Sequence, residues 1–192
     1  ELMVALEEEQ FRLVYQPIID SNSGQLKSVE ALIRWQHPQR GLVSPVDFIP
    51  FAERTGQVVA IGQWVLRQVC QDIVAWNQQY SAALTVAVNL SPLQFRRVDF
   101  LLDLQQTLAD THLAPELLKI EVTETMLVAG VDRSLEILEA IRKLGVRVSV
   151  DDFGTGYSSL SYLRTLPIDE IKLDRGFIEH LPGNEKDAAI VS

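Results

Sequence analysis

Apolar and polar positions along the chain change period several times, and each change marks an element. Residues 11–19, FRLVYQPII, form an apolar, β-prone run interrupted by Pro17, and Asn22-Ser23-Gly24 reads as a turn. Residues 29–35, VEALIRW, predict a second strand, and the short connector makes the two antiparallel neighbours. Ser44-Pro45 signals a helix start, with serine as N-cap and proline in the first turn. That helix is expected through about Glu53, ending near Gly56. A longer one sets Val58, Ile61, Val65, Val69, Ile73 and Trp76 at helical spacing.

Residues 84–90, LTVAVNL, predict a strand, and Ser91-Pro92 repeats the helix-start signal before Leu101, Leu104 and Leu108. Residues 117–123 are a strand, Leu135, Leu138 and Ile141 a helix closed by Gly145, and 146–151 the next strand. Residues 158–166 are expected to be helical, 170–174 to be the sixth strand, and Pro182-Gly183 to be a turn before a further helix. From residue 84 on, strands and helices alternate, which implies parallel strands with helical crossovers. An α/β class follows. An open doubly wound sheet and a (β/α) barrel both remain open from pattern alone.

Each strand has one apolar and one polar face. Glu30, Leu32 and Arg34 share a side, Asn89 opposes Val86 and Val88, and Glu121 with Lys119 opposes Leu118, Ile120 and Val122. Asp151 and Ser149 oppose three valines, and Lys172 stands between Ile171 and Leu173; Gln16 lies in the first strand. In a barrel these polar groups would converge at the C-terminal strand ends; in an open sheet they would face solvent.

Composition narrows the chemistry. The chain has 192 residues, 47% hydrophobic and 22% charged, which is ordinary for one globular domain. No stretch approaches the roughly 18 apolar residues of a membrane span, so the segment is expected to be soluble and cytoplasmic, in a parent protein that itself can be membrane-tethered. The single cysteine, Cys70, excludes a disulfide framework, and the three histidines are far apart. A net charge of −9 argues against binding long nucleic acid. Glu1-Leu2-Met3 carries no signal-peptide pattern, and both chain ends read as cuts within a longer protein, with residues 1–10 as a linker.

Asp151-Asp152 ends a valine-rich strand, where two adjacent carboxylates repel unless a cation relieves them. Phe153-Gly154-Thr155-Gly156 follows. Hard cations choose carboxylate and amide oxygens, and Glu30, Asn89, Glu121 and the aspartate pair supply that set. Taken alone, Asp-Asp before glycine reads first as a turn or helix cap, and Lys172 as an exposed strand lysine.

Glu30-Ala31-Leu32-Ile33-Arg34-Trp35 resembles the signature of the EAL domain family, the bacterial cyclic-di-GMP phosphodiesterases. Tyr15-Gln16-Pro17, Asn89-Leu90-Ser91, Glu121-Val122-Thr123-Glu124, the run from Asp151 to Leu160 and Lys172-Leu173-Asp174 occur in family order. The resemblance covers residues 11–192. It implies a TIM-like barrel with an antiparallel first strand. It implies two Mg²⁺ or Mn²⁺ ions held by Glu30, Asn89, Glu121, Asp151 and Asp152, with Lys172 and Glu30 catalytic, Gln16 and Arg34 on the dinucleotide, and Glu124 anchoring the loop after Asp152. The implied reaction is hydrolysis of cyclic-di-GMP to linear pGpG, in a homodimer and beside a regulatory or GGDEF-type domain. The family's last two strands, one with an acidic motif and one with a Gln-Gly motif, would lie beyond Ser192. The alternative is a receptor that binds the dinucleotide without cleaving it; a lesser one is a dimerisation element at the glycine loop.

Overall fold

The computed structural model describes residues 1–128, 130–154, 165–174 and 176. Strands β1 (Phe11–Ile19) and β2 (Leu26–His37) pair antiparallel, with Gln16 opposite Glu30. Asp20 closes their turn, its Oδ1 accepting from the N–H groups of Asn22 and Ser23. β4 (Thr85–Asn89), β5 (Leu118–Thr123), β6 (Arg147–Phe153) and β7 (Glu170–Leu173) add in parallel, in the order β1-β2-β4-β5-β6-β7. A three-residue strand, β3 (Gly41–Val43), folds back on the end of β2. It is too short to show a period in the sequence.

The crossovers are helical: α2 (Pro45–Arg54) and α3 (Val58–Tyr80) before β4, α4 (Pro92–Phe95) and α5 (Phe100–Thr111) before β5, and α6 (Glu124–Val128) and α7 (Val131–Lys143) before β6. The valine-rich strand faces are covered by these helices. Val86, Ile120, Val122, Val148 and Val150 join Ile61, Val69, Ile73, Leu104, Leu138 and Ile141 in one buried cluster. Burying each such side chain contributes about 1.5–3 kcal/mol. The apolar faces thus point outward into helices, so the polar faces point inward.

The stretch read as a linker is partly helical. Leu2–Glu7 form α1, and Leu2 and Ala5 are buried in the same cluster. Six residues with two apolar anchors carry too little pattern to show a helix. The predicted helix over 158–166 falls mostly on residues 155–164, outside the described residues, as do Thr155–Leu160 of the glycine-loop motif and the turn at Pro182-Gly183. Among the described residues no helix is long and apolar enough to cross a membrane.

Two local devices fix β4, which carries Asn89. Asn77 of α3 clamps Leu84 on both backbone groups, accepting from its N–H and donating to its C=O. After the strand, Ser91 and Gln94 make a reciprocal capping box on α4. Ser44, by contrast, makes no side-chain cap on α2, where Pro45 alone starts the helix. Gln94 lies flat on Gly62 of α3, where an added Cβ would sit 1.9 Å from Nε2. Gly62→Ala is therefore expected to stabilise the Gln94→Ala protein by about 0.5–1 kcal/mol through helix propensity, and to give no such gain in wild type. Urea unfolding of the four proteins checks this; equal gains in both backgrounds would contradict it.

Candidate active site

The inward faces of four strands meet at one ammonium group. Lys172 Nζ donates to Glu121 Oε2 at 2.8 Å, Glu30 Oε2 at 3.0 Å and Asp151 Oδ2 at 3.1 Å. The three carboxylates place one oxygen each within 4.8 Å of one another. Asn89 Nδ2 donates to the other oxygen of Glu30 at 2.8 Å. Residues from β2, β4, β5, β6 and β7 therefore share one rim, and the open-sheet alternative falls away. Lys172 is a cross-barrel contact, not an exposed strand lysine.

The aspartate pair sits on a bulge. Val150 pairs with Ile171 and Phe153 with Leu173, so Asp151 and Asp152 together face the single residue Lys172. Asp152 takes a left-handed backbone, φ 52°. Regular alternation would send adjacent side chains to opposite faces. Here Asp151 reaches Lys172, while Asp152 lines the cleft beside it. No sequence signal marks this bulge, because aspartate is the residue at positive φ. Glu124, buried at the start of α6, accepts the Gly154 N–H on Oε2 at 2.9 Å and so ties down the chain just past the bulge.

The cleft measures about 500 Å³. Ile33, Val46, Ile49 and Pro92 wall it, and Asn89, Thr123 and Asp152 give it a polar side. Gln16 stands opposite Glu30 in the ladder and is exposed. Arg34 lies four residues along β2 from Glu30 and donates to the Ile33 carbonyl at 2.8 Å. Among the described residues, neither Gln16 nor Arg34 hydrogen-bonds the carboxylate group.

Burial dominates the electrostatics. The Glu121 side chain is 0% exposed. Burial pushes its carboxyl from the ordinary 4.5 up to about 7, against the pull of Lys172 and with the push of Glu30 and Asp151. Burial likewise raises Asp152, aided by Asp151 and Asp174. Burial works against the Lys172 charge, but Glu121 and Glu30 outweigh it and hold its pKa above the ordinary 10.5.

An EAL domain family model matches residues 1–192. The chain belongs to the EAL domain family. It is 47% identical over 192 residues to the bifunctional diguanylate cyclase/cyclic di-GMP phosphodiesterase MucR of Pseudomonas aeruginosa, covering 100% of this chain and 28% of that protein. It is 42% identical over 190 residues to the cyclic di-GMP phosphodiesterase NbdA of the same organism, covering 99% of this chain and 24% of that one. The chain spans about a quarter of the length of the curated relatives it matches. The solved structure of the P. aeruginosa MucR phosphodiesterase in complex with c-di-GMP superposes with a TM-score of 0.93 at 47% identity, over 99% of this chain and 77% of that one. The fold is accordingly the TIM-like barrel of EAL domains, with an antiparallel first strand pair.

The residues of this EAL domain fit a hard metal ion. Three carboxylates and an amide supply oxygen donors. One ammonium faces three carboxylates, which leaves negative charge uncompensated. Glu121 Oε1 is buried and has no hydrogen-bond partner among the described residues. A cation satisfies all three conditions.

Glu121 holds its proton in the folded state between about pH 4.5 and 7, where an unfolded glutamate has lost it. The folded state thus binds more protons there, and stability falls as pH rises through that window. In chelator-treated protein, Glu121→Gln is expected to flatten this slope in urea unfolding series from pH 4.5 to 7. An unchanged slope would contradict the assignment.

Proposed function

We propose that this domain hydrolyses cyclic-di-GMP to linear pGpG with Mg²⁺ or Mn²⁺ at the Lys172 site. The observation that carries the reading is the convergence of Glu30, Glu121 and Asp151 on one point, with Glu121 Oε1 buried and unpartnered. Likeness to the c-di-GMP complex of the MucR phosphodiesterase supports the substrate. The bifunctional diguanylate cyclase/cyclic di-GMP phosphodiesterase MucR supports a diguanylate cyclase domain elsewhere in the parent protein; a homodimer rests on the family resemblance.

A dianionic dinucleotide and an acidic rim repel each other, so charge must be inverted locally before the substrate can settle. Glu30, Asn89, Glu121, Asp151 and Asp152 supply oxygen donors for two ions. When bound, these ions activate water near neutral pH and stabilise charge on phosphorus oxygens. Lys172 spends its three N–H groups on Glu30, Glu121 and Asp151; carboxylates engaged by the ions would release an N–H to orient the attacking water and favour negative charge as it develops. Arg34 is suited to a phosphate oxygen by its forked donors, and Gln16 lies across the ladder from Glu30 to reach the dinucleotide. Glu124 holds the Asp151-Asp152 bulge through Gly154. The cleft falls within the size of small-molecule sites, about 300–1,000 Å³. The water oxygen bonds to one phosphorus as that phosphorus loses its P–O bond to a sugar oxygen, the sugar oxygen takes up the proton the water gives up, and the ring opens to pGpG.

The test incubates the full-length protein with cyclic-di-GMP and Mg²⁺ or Mn²⁺ and follows product by chromatography. Product is expected with metal, none with excess chelator, and recovery on adding metal back. Asp151→Asn is expected to lower kcat by at least about 100-fold, since it removes one charged ligand. Tight binding with no product in wild type would replace the enzyme with the receptor reading. Wild-type turnover in Asp151→Asn would remove Asp151 from the site.

A further inference from the structure

β7 carries Lys172, yet its ladder fixes it weakly. It spans four residues and meets β6 at Ser149↔Glu170 and Val150↔Ile171, then only beyond the bulge at Phe153↔Leu173. A slip of one residue would turn Lys172 from the inner face to the outer one. Asp169 anchors the strand's start, accepting the Val148 N–H at 2.8 Å and donating its own N–H to the Val148 carbonyl at 2.9 Å. The inner face has a second anchor. Lys119 of β5, 5% exposed, donates to Glu170 Oε2.

This pair joins β5 to β7 across the intervening β6. Strands two apart lie about 10 Å from each other, so the two long side chains must meet above the residue between them. On β6 Lys119 pairs with Arg147 and Glu170 with Ser149, so the contact runs diagonally and passes over Ser149. Ser149 is 0% exposed, and its Oγ has no hydrogen-bond partner among the described residues. A small side chain there leaves the crossing open. Glu170 and Lys172 are two residues apart and share the inner face, so whatever holds Glu170 also sets Lys172.

We propose that the Lys119–Glu170 ion pair, crossing over Ser149, is the register key of β7, and that Lys119 and Glu170 are positioning residues for Lys172. Buried ion pairs seldom add net stability over apolar side chains of the same size; fixing register is their best-attested use. In the slipped register Glu170 leaves the interior, and Lys119 becomes a buried cation without a partner, which is costly. The consequence for catalysis rests on the role given to Lys172 above, whereas the register does not.

The test is hydrogen exchange, read by mass spectrometry on the segment 168–174 of the full-length protein, together with melting temperature and kcat. Three variants are compared with wild type: Lys119→Met; the swap Lys119→Glu with Glu170→Lys; and the apolar pair Lys119→Met with Glu170→Leu. Lys119→Met is expected to speed exchange in 168–174 by about tenfold or more and to lower kcat with little change in KM. The swap is expected to restore both. The apolar pair, which leaves no buried charge, is expected to melt at or above the wild-type temperature yet exchange as fast as Lys119→Met. Wild-type protection of 168–174 in the apolar pair, or a swap as fast as Lys119→Met, would overturn the register key. Exchange that follows the expected pattern in a protein without phosphodiesterase activity would uphold the key and sink only the proposed hydrolysis.

Discussion

Glu30, Glu121 and Asp151 are held together inside the barrel by the ammonium of Lys172. This contact is the constraint on which the rest of the structure turns. Like charges this close are tolerated when a cation stands among them or when one carboxyl keeps its proton, and burial raises the Glu121 carboxyl to about 7 beside the Lys172 ammonium. Each charge comes from a different strand, so the contact exists only if every strand keeps its register and its inward face. The outward valine and isoleucine faces, packed under α3, α5 and α7, supply the force that keeps them so. A helical shell made of apolar contacts therefore positions an interior made of charges.

The polar interior is unusual for a barrel, whose centre is ordinarily filled by branched apolar side chains. Two lysines divide the work. Lys172 gathers the rim carboxylates, and Lys119 holds Glu170. One ammonium among three carboxylates and a buried, unpartnered Glu121 Oε1 suit a divalent ion at the rim. Under the proposed function, such an ion is what would let an acidic chain of net charge −9 accept an anionic dinucleotide.

Much of this was legible in the chain. Period-2 alternation marked six strands, the short β1–β2 connector marked the antiparallel pair, and the motifs around Glu30 and Asp151-Asp152 pointed to the family. The alternation alone left barrel and open sheet undecided, because it is the same for a polar face turned to solvent or inward; only the family motifs pointed to the barrel. The distance from Lys172 to three carboxylates settled it. The bulge was hidden because no glycine marks the positive φ at Asp152, although it sets both aspartates opposite Lys172, with Asp151 bonded to the lysine and Asp152 lining the cleft. α1 and β3 were too short to show a period, and the Lys119–Glu170 pair joins residues 51 positions apart. Lys119 could be assigned to the inner face by parity, but not to a partner.

The most direct measurement is a crystal structure of the protein soaked in Mn²⁺, with anomalous scattering used to locate the metal. The account predicts anomalous density in direct contact with carboxylate oxygens of Glu30, Glu121 and Asp151, with Asn89 and Lys172 beside it. Manganese bound elsewhere, or those three side chains pointing to different sides of the barrel, would contradict it.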